Sequence, residues 1–204
     1  MNAPAHPQPS AVRGALAVTG TELRALHERL AARADAAGLL DVAYRTVDTP
    51  VGPLLLAATP AGLVRVAFAS EDHDTVLATL AAQLSPRILN APQRLDDVAR
   101  ELDEYFSGAR HRFDLPLDFQ LATGFRRAVL RQLPSIGYGQ TASYAAVAAA
   151  AGRPRAVRAA GTACATNPLP VVVPCHRVIR ADGSPGRYRG GLAAKQLLLN
   201  LEAA

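Results

Sequence analysis

The sequence predicts an α/β (α+β) fold: a small N-terminal antiparallel sheet domain with helices, then a mostly helical C-terminal domain with a winged-helix-like helix-turn-helix. Three observations carry this. Apolar and polar residues alternate from Val42 to Ala69, broken at Thr49-Pro50 and Pro60-Ala61-Gly62, which is the pattern of a meander of about three strands. From Thr123 the period lengthens to that of a helix, with Phe125, Val129 and Leu133 on one face. Further on, Gly152-Arg153-Pro154 separates two short Ala-rich helical segments by a tight turn, the layout of a helix-turn-helix.

Taken in order, residues 1 to about 18 are Pro- and Ala-rich and expected to be disordered. Thr19 with Glu22 three residues on forms a capping-box pattern, opening a helix that runs through about Ala37 and closes at Gly38. After the meander, helices are expected at roughly Asp74–Leu84 and Leu95–Phe106, the second with Leu95, Val98, Leu102 and Tyr105 on one stripe. Phe113 to Phe119, interrupted by Pro116, has the irregularity of a connector. The expected organisation is therefore an extension over 1–42, an α/β domain over 43–115 and a second domain over 119–204. Ser143 is a good N-cap for Tyr144–Ala151, and Arg155–Cys164 forms the next helix. A last helix covers about Leu192–Leu201, with Leu192, Lys195, Leu198, Leu199 and Glu202 on one stripe.

Half of the 204 residues are hydrophobic, which suits globular folding, and no apolar run approaches the roughly 20 residues a bilayer span requires. Met1 to Ser10 lacks the basic and apolar regions of a signal peptide, and the two cysteines fit a reducing compartment, so a cytoplasmic protein is expected. The net charge of +5 is unevenly placed. Between Asp118 and Asp182 there is no acidic residue, while Arg126, Arg127, Arg131, Arg153, Arg155, Arg158, Arg177 and Arg180 all lie there. A field of one sign over so long a stretch points to a polyanion, with nucleic acid the natural partner. Within the second short helix, Val157, Ala160, Gly161 and Cys164 cluster on one side and Arg155, Arg158, Ala159 and Thr162 on the other. The first side is expected to pack inward. The second is basic but small, so its backbone can lie close to a groove while one arginine reaches further; a solvated Ala-rich surface helix has the same pattern.

Pro174-Cys175-His176-Arg177 follows the strand-like run Val171-Val172-Val173 and sets a candidate nucleophile beside a candidate base and a cation. A thiol beside positive charge has a depressed pKa, and the thiolate is the reactive form. Cys164, on the inward helix face, is expected to be packing only. Neighbouring side chains on a strand point to opposite faces, so His176 serves Cys175 only if the chain turns here, or through a bridging water. Glu202 projects from an otherwise apolar helix face near a C-terminus, where the macrodipole disfavours an anion; it either orients His176 or is a solvated terminal residue. Asn167 either stops a helix before Pro168 or braces the Cys175 turn. Gly183, Gly186, Gly190 and Gly191 surround Tyr188 in a loop that a flat ligand can approach closely.

Asn167-Pro168-Leu169-Pro170-Val171-Val172-Val173-Pro174-Cys175-His176-Arg177-Val178, with Gly186-Arg187-Tyr188-Arg189-Gly190-Gly191-Leu192, resembles the O6-alkylguanine-DNA alkyltransferases, the methylated-DNA–protein-cysteine methyltransferases. Tyr144 and Arg155-Ala156-Val157-Arg158-Ala159-Ala160-Gly161 fit the same family's helix-turn-helix. The match spans about 123–202, and residues 43–115 fit the family's variable N-terminal domain only loosely. The resemblance implies a DNA-repair protein that flips a damaged base out of the duplex. It would move the alkyl group of O6-alkylguanine, and of O4-alkylthymine, once and irreversibly onto Cys175. It also implies His176 as a water-mediated base, Glu202 behind it, Asn167 supporting the turn, and Tyr144, Val178, Tyr188 and Arg189 around the base. Arg158 would fill the vacated stack. Arg155, Ala159, Thr162, Arg126 and Arg127 are the remaining expected DNA contacts, through the minor groove. Arg189 stands where many relatives have a smaller residue. No cysteine precedes Cys164, so neither a zinc site nor a cofactor is expected. The partner that the resemblance implies is duplex DNA containing O6-alkylguanine, expected to be bound by a monomer with cooperative assembly open. Two readings compete with this one: a non-catalytic helix-turn-helix binder, and a thiol hydrolase built on Cys175, His176 and Glu202.

Overall fold

The computed structural model describes residues 19–203, so the expected disorder of residues 1 to about 18 lies outside them. The chain divides into two compact units at Leu39/Leu40. In the first, helix α1 (Gly20–Ala36) begins as its sequence requires: Thr19 Oγ1 accepts from the Glu22 amide and Glu22 accepts from the Thr19 amide. These two reciprocal bonds satisfy amides that the first turn leaves without helical partners.

The second unit opens on a sheet of β1 (Val42–Val47), β2 (Leu54–Thr59), β3 (Gly62–Phe68) and β4 (Ile88–Asn90), in spatial order β3-β2-β1-β4. The expected meander is there, with β1–β2 and β2–β3 antiparallel. The fourth strand was not expected; it is three residues long, too short for a period to register, and pairs parallel to β1. β2 and β3 are buried along their whole length. Helix α2 (His73–Gln83) covers the sheet through Val76 and Leu80, which pack with Val42, Leu55, Ala57, Val64 and Ala67. Helix α3 (Asp96–Phe106) follows a short 3-10 turn and buries the expected stripe Leu95, Val98, Leu102 and Tyr105.

The free edge of β3 is where this half meets the rest of the unit. The Leu63 amide donates to Pro116 O at 2.8 Å and the Asp118 amide to Leu63 O at 2.9 Å, so the irregular connector caps the edge. One turn further along, the Val66 amide donates to Pro168 O at 2.8 Å. An open strand edge is thus satisfied by the segment that carries Asn167.

The helical half contains α4 (Gly124–Gln132), α5 (Tyr144–Ala150) and α6 (Val157–Ala165), with α6 packed on both others. Ser143 caps α5 by accepting from the Ala146 amide at 3.1 Å. β5 (Ala142–Ser143) and β6 (Val178–Ile179) form a two-residue parallel pair, and α7 (Gly191–Glu202) closes the chain. Three expectations are corrected. Val171–Val173 is a turn, not a strand, because Val171 takes φ +72° and the Val173 amide bonds Leu169 O. Val157 does not pack inward but is 38% exposed; the buried face of α6 is Ala160, Ala163 and Cys164. Leu192, at the first turn of α7, is 60% exposed, while Lys195, Leu198 and Glu202 of the same stripe are buried. In both cases the misplaced residue lies in the first turn of its helix, beyond the reach of the elements that cover the later turns.

Candidate active site

After the Val171–Val173 turn the chain winds into a single 3-10 turn, Cys175–Arg177, in which all three side chains are buried. This geometry removes the strand objection: three residues per turn spread Cys175, His176 and Arg177 around an axis rather than onto two opposed faces. Asn167 braces the turn. Its Nδ2 donates to Val173 O at 2.8 Å and reaches Cys175 Sγ at 3.1 Å, while its Oδ1 accepts from the Leu169 amide at 2.9 Å.

Glu202 arrives from the end of α7 and gathers the other two. His176 Nε2 lies 2.8 Å from Oε1. Arg177 forms a forked pair, Nε to Oε2 at 2.8 Å and Nη2 to Oε1 at 2.9 Å. Tyr105 of α3 donates its hydroxyl to Oε1 at 2.6 Å, and the Gly139 amide to Oε2 at 3.3 Å. Gly139 sits at φ +69°, and a Cβ there would lie 2.7 Å from Glu202 O, so no other residue fits this approach. Burial alone would raise the Glu202 pKa, but hydrogen bonds from His176 and Arg177 hold it down to about 2.

A carboxylate only accepts, so Nε2 of His176 carries the proton, and in the neutral ring Nδ1 is then the acceptor. Nδ1 is buried and has no hydrogen-bond partner among the described residues. Burial pulls the His176 pKa down against the opposing pull of Glu202, which keeps the ring neutral. The structure therefore presents an oriented imidazole with a free basic nitrogen.

The thiol differs from expectation. Burial pushes Cys175 up to about 11, against the Asn167 hydrogen bond and the charge of Lys195. The depressed pKa foreseen from the neighbouring cations does not hold, because Arg177 turns to Glu202 and His176 is uncharged. Cys164, also buried, is pushed to about 12, in keeping with a packing role. Lys195, fully buried, donates to Val178 O at 2.6 Å, and its own pKa is lowered by burial.

The other expected site residues are distributed around this centre. The Tyr144 ring lies between α6 and the glycine loop: a Cβ on Gly186 would fall 2.0 Å from its hydroxyl and one on Gly161 3.9 Å from its ring. The glycine at 186 is thus there to pack against Tyr144. Tyr188 stands edge-on to His176, at 6.4 Å and 88°, and to Phe68 at 5.6 Å. Val178 is buried with its carbonyl taken by Lys195. Arg189 is drawn away to Glu71 at 2.7 Å and the Asn167 carbonyl at 3.4 Å. Arg155, Arg158, Ala159 and Thr162 are all exposed, as a contact face requires. Arg126 and Arg127 are partly spent on the protein, donating to Thr166 O at 3.0 Å and Ala122 O at 2.6 Å.

Sequence reasoning missed Tyr105, Lys195, Gly139 and the turn of Arg177 toward Glu202. Lys195 had a signal, being the chain's one lysine and set on the same apolar stripe as Glu202. The hydroxyl of Tyr105 had none, since its ring satisfies the core stripe of α3 regardless.

Known proteins match this chain over both halves of its second unit. The family model "6-O-methylguanine DNA methyltransferase, DNA binding domain" matches residues 124–204, and "6-O-methylguanine DNA methyltransferase, ribonuclease-like domain" matches 42–119. A methylated-DNA–protein-cysteine methyltransferase of Methanosarcina barkeri is 36% identical over 78% of this chain and 96% of its own length. The constitutive Bacillus subtilis protein of that name is 40% identical over 78% and 94%. The solved Mycobacterium tuberculosis O6-methylguanine methyltransferase superposes with a TM-score of 0.70 at 36% identity, covering 79% of this chain and 93% of that one. The same organism's OGT in complex with DNA gives 0.69 at 36%, over 79% and 92%. With both halves matched and relatives covered almost end to end, the chain belongs to the 6-O-methylguanine DNA methyltransferase family, the methylated-DNA–protein-cysteine methyltransferases.

Proposed function

We propose that the protein repairs duplex DNA by moving the alkyl group of O6-alkylguanine, and of O4-alkylthymine, onto Cys175, once per molecule. The observation that carries this is two hydrogen-bonded pairs on one 3-10 turn, Asn167 with the Cys175 thiol and Glu202 with His176, the second leaving the base nitrogen of a neutral imidazole available. His176 Nδ1 takes the thiol proton through an intervening water, and Glu202 stabilises the imidazolium at 2.8 Å. Asn167 Nδ2 and the charge of Lys195 favour the thiolate as it forms. Sulfur then attacks the alkyl carbon: the S–C bond forms, the C–O6 bond breaks, and the base anion so released takes up the proton that left the thiol, returning His176 to its neutral form and the base to its keto form. The product thioether has no leaving group that water displaces, so the protein is spent. A resting thiol with a pKa of about 11 suits this role, because the nucleophile stays protonated until a base is seated.

On the DNA side, Arg158 takes the place of the flipped nucleotide, and Arg155, Ala159 and Thr162 approach the minor groove. Tyr144, Tyr188 and Val178 border the base, and Arg189 joins them only by leaving Glu71, to which it is paired without DNA. The division into 43–115 and 119–204, after an extension over 1–42, is supported by the two separately matching family models. No helix among the described residues is long and apolar enough to cross a membrane, and two free thiols suit the reducing cytoplasm, where we place the protein as a monomer.

The test is an intact-mass measurement after incubation with duplex DNA containing O6-methylguanine. The expected result is a gain of one methyl group mapped to Cys175, absent in Cys175→Ser and retained in Cys164→Ser. DNA binding with no mass gain would overturn the reading in favour of a non-catalytic binder, and methyl release beyond one equivalent would indicate a hydrolase.

A further inference from the structure

Away from Cys175, the sheet half and the helical half of the second unit enclose a cleft of about 460 Å³ whose polar lining includes Arg65, Arg126, Arg189, Glu71, Thr75 and Thr79. Three guanidinium groups here face one carboxylate. Glu71 pairs with both Arg65 and Arg189, which leaves Arg126 with no acidic partner among the lining residues. Arg126 Nε is buried and has no hydrogen-bond partner among the described residues. The threonine hydroxyl protons are already committed, Thr75 to Asp72 at 2.6 Å, Thr79 to Thr75 O at 2.8 Å and Thr166 to Thr162 O at 2.8 Å, so the side-chain donors left to a ligand are guanidinium N–H groups and the Gln83 amide. Burial, and the neighbouring charge of Arg189, pull the pKa of Arg126 down, and the same two influences act on Arg65 against the pull of Glu71. Like charges gathered in one cleft are relieved by an anion.

The same three arginines also grip three consecutive carbonyls. Arg126 donates to Thr166 O at 3.0 Å, Arg189 to Asn167 O at 3.4 Å and Arg65 to Pro168 O at 3.2 Å. They come from α4, from the loop before α7 and from β3, so elements remote in sequence converge on the segment that presents Asn167 to Cys175. We propose that this cleft is an oxyanion site, in which Arg126 and Arg189 bind a phosphate-type group through guanidinium forks, and that its occupancy alters the hold on Asn167. Forked guanidinium geometry matches a tetrahedral oxyanion, and the volume exceeds one phosphate, leaving room for whatever the phosphate is attached to. The inference does not rest on the alkyl-transfer reading, since the cleft lining includes none of Cys175, His176 and Glu202.

The probe is inorganic phosphate, titrated into the full chain at constant ionic strength against chloride. In the unmodified protein, phenylglyoxal labelling of Arg126 and Arg189, mapped by peptide mass, is expected to slow about tenfold when phosphate reaches ten times its Kd, while exposed Arg131 labels unchanged. Phosphate is also expected to raise Tm saturably in the parent protein and in Arg131→Gln, and not in Arg126→Gln. Equal labelling of all three arginines with and without phosphate overturns the proposal, as does a Tm rise that persists in Arg126→Gln. An undamaged duplex then distinguishes two sources of the same chemistry. If it abolishes the phosphate-dependent protection, the occupant is a DNA backbone phosphate; if protection persists on DNA, it is a free phosphate compound.

Discussion

The buried centre around Cys175 and the exposed face of α6 are built on opposite principles. Within the first, Glu202 alone receives hydrogen bonds from His176, Arg177, Tyr105 and Gly139, and Asn167 makes three more around the thiol. On the second, Arg158, Ala159 and Thr162 face solvent, as does Arg155 in the turn that precedes the helix rather than within it as expected, and the side-chain bond of Thr162 is a local one to Arg158 O. A buried charge is tolerable only when fully partnered, so every member of the first region is fixed by its neighbours and its loss is felt in both stability and chemistry. Exposed small residues have no such obligation, so their replacement should act on DNA engagement alone. The two regions are separable by mutation, and four predictions probe how cleanly.

The largest effect is expected from Glu202→Gln. It keeps the shape but removes the charge that stabilises protonated His176, and leaves the Arg177 guanidinium uncompensated inside the protein. Reaction with free O6-benzylguanine, which needs no DNA contact, should slow by about 10²–10⁴-fold. The check is single-turnover kinetics on the free base; a rate within a factor of two of the parent would remove Glu202 from the chemistry.

Acid unfolding measures the same region thermodynamically. Glu202 is held at about 2 in the folded state against an ordinary value of 4.5. A folded-state pKa below the unfolded one means the contribution is complete above pH 4.5 and lost as pH falls toward 2. The loss should be about 2–3 kcal/mol across that window. Urea midpoints at pH 7 and pH 3 would show it, and Glu202→Gln should reduce the difference; an unchanged pH dependence in that variant would contradict the assignment.

Tyr105→Phe is a finer test, since it deletes one donor to a charged acceptor and nothing else. A cost of about 1.5–3 kcal/mol is expected in urea unfolding at pH 7. Because the remaining donors still hold Glu202, the free-base rate should fall less than in Glu202→Gln. A rate loss as deep as that of Glu202→Gln would mean that Tyr105 positions the carboxylate.

The contrast between the regions also explains what sequence showed and what it hid. Features set by local chemistry were legible: the Thr19–Glu22 capping box, the Ser143 cap, the Leu95–Tyr105 stripe and the outward placement of Arg158. Glu202 stood out, because an anion on an apolar face at a helix C-terminus violates two local rules at once, but the residues left it open between a partner of His176 and a solvated terminal carboxylate, and the family resemblance supplied the choice. What depends on where remote elements land was hidden. The elevated thiol pKa follows from burial under the whole fold, and Arg177 looked like a cation for Cys175 until α7 brought a carboxylate to it. Tyr105, 97 residues from its partner, satisfies the core pattern whether or not its hydroxyl is used. Val157 and Leu192 fit their stripes by period, but period does not say how far along a helix its cover extends.

The smallest effect on the folded protein, and the sharpest on the comparison, is expected from Arg158→Ala. The side chain is exposed on α6, so urea stability should change by less than about 0.5 kcal/mol. The rate with free O6-benzylguanine should match the parent, because no bond of the Cys175 centre involves this residue. In duplex DNA containing O6-methylguanine, the alkyl-transfer rate should fall well below the parent's, since the flipped base loses the group proposed to hold its place in the stack. If Arg158 also contacts a backbone phosphate, the slope of log affinity against log salt should fall by about 0.9. Equal rate losses on free base and duplex would show that α6 and the Cys175 centre are not separable, and would refute the finger role.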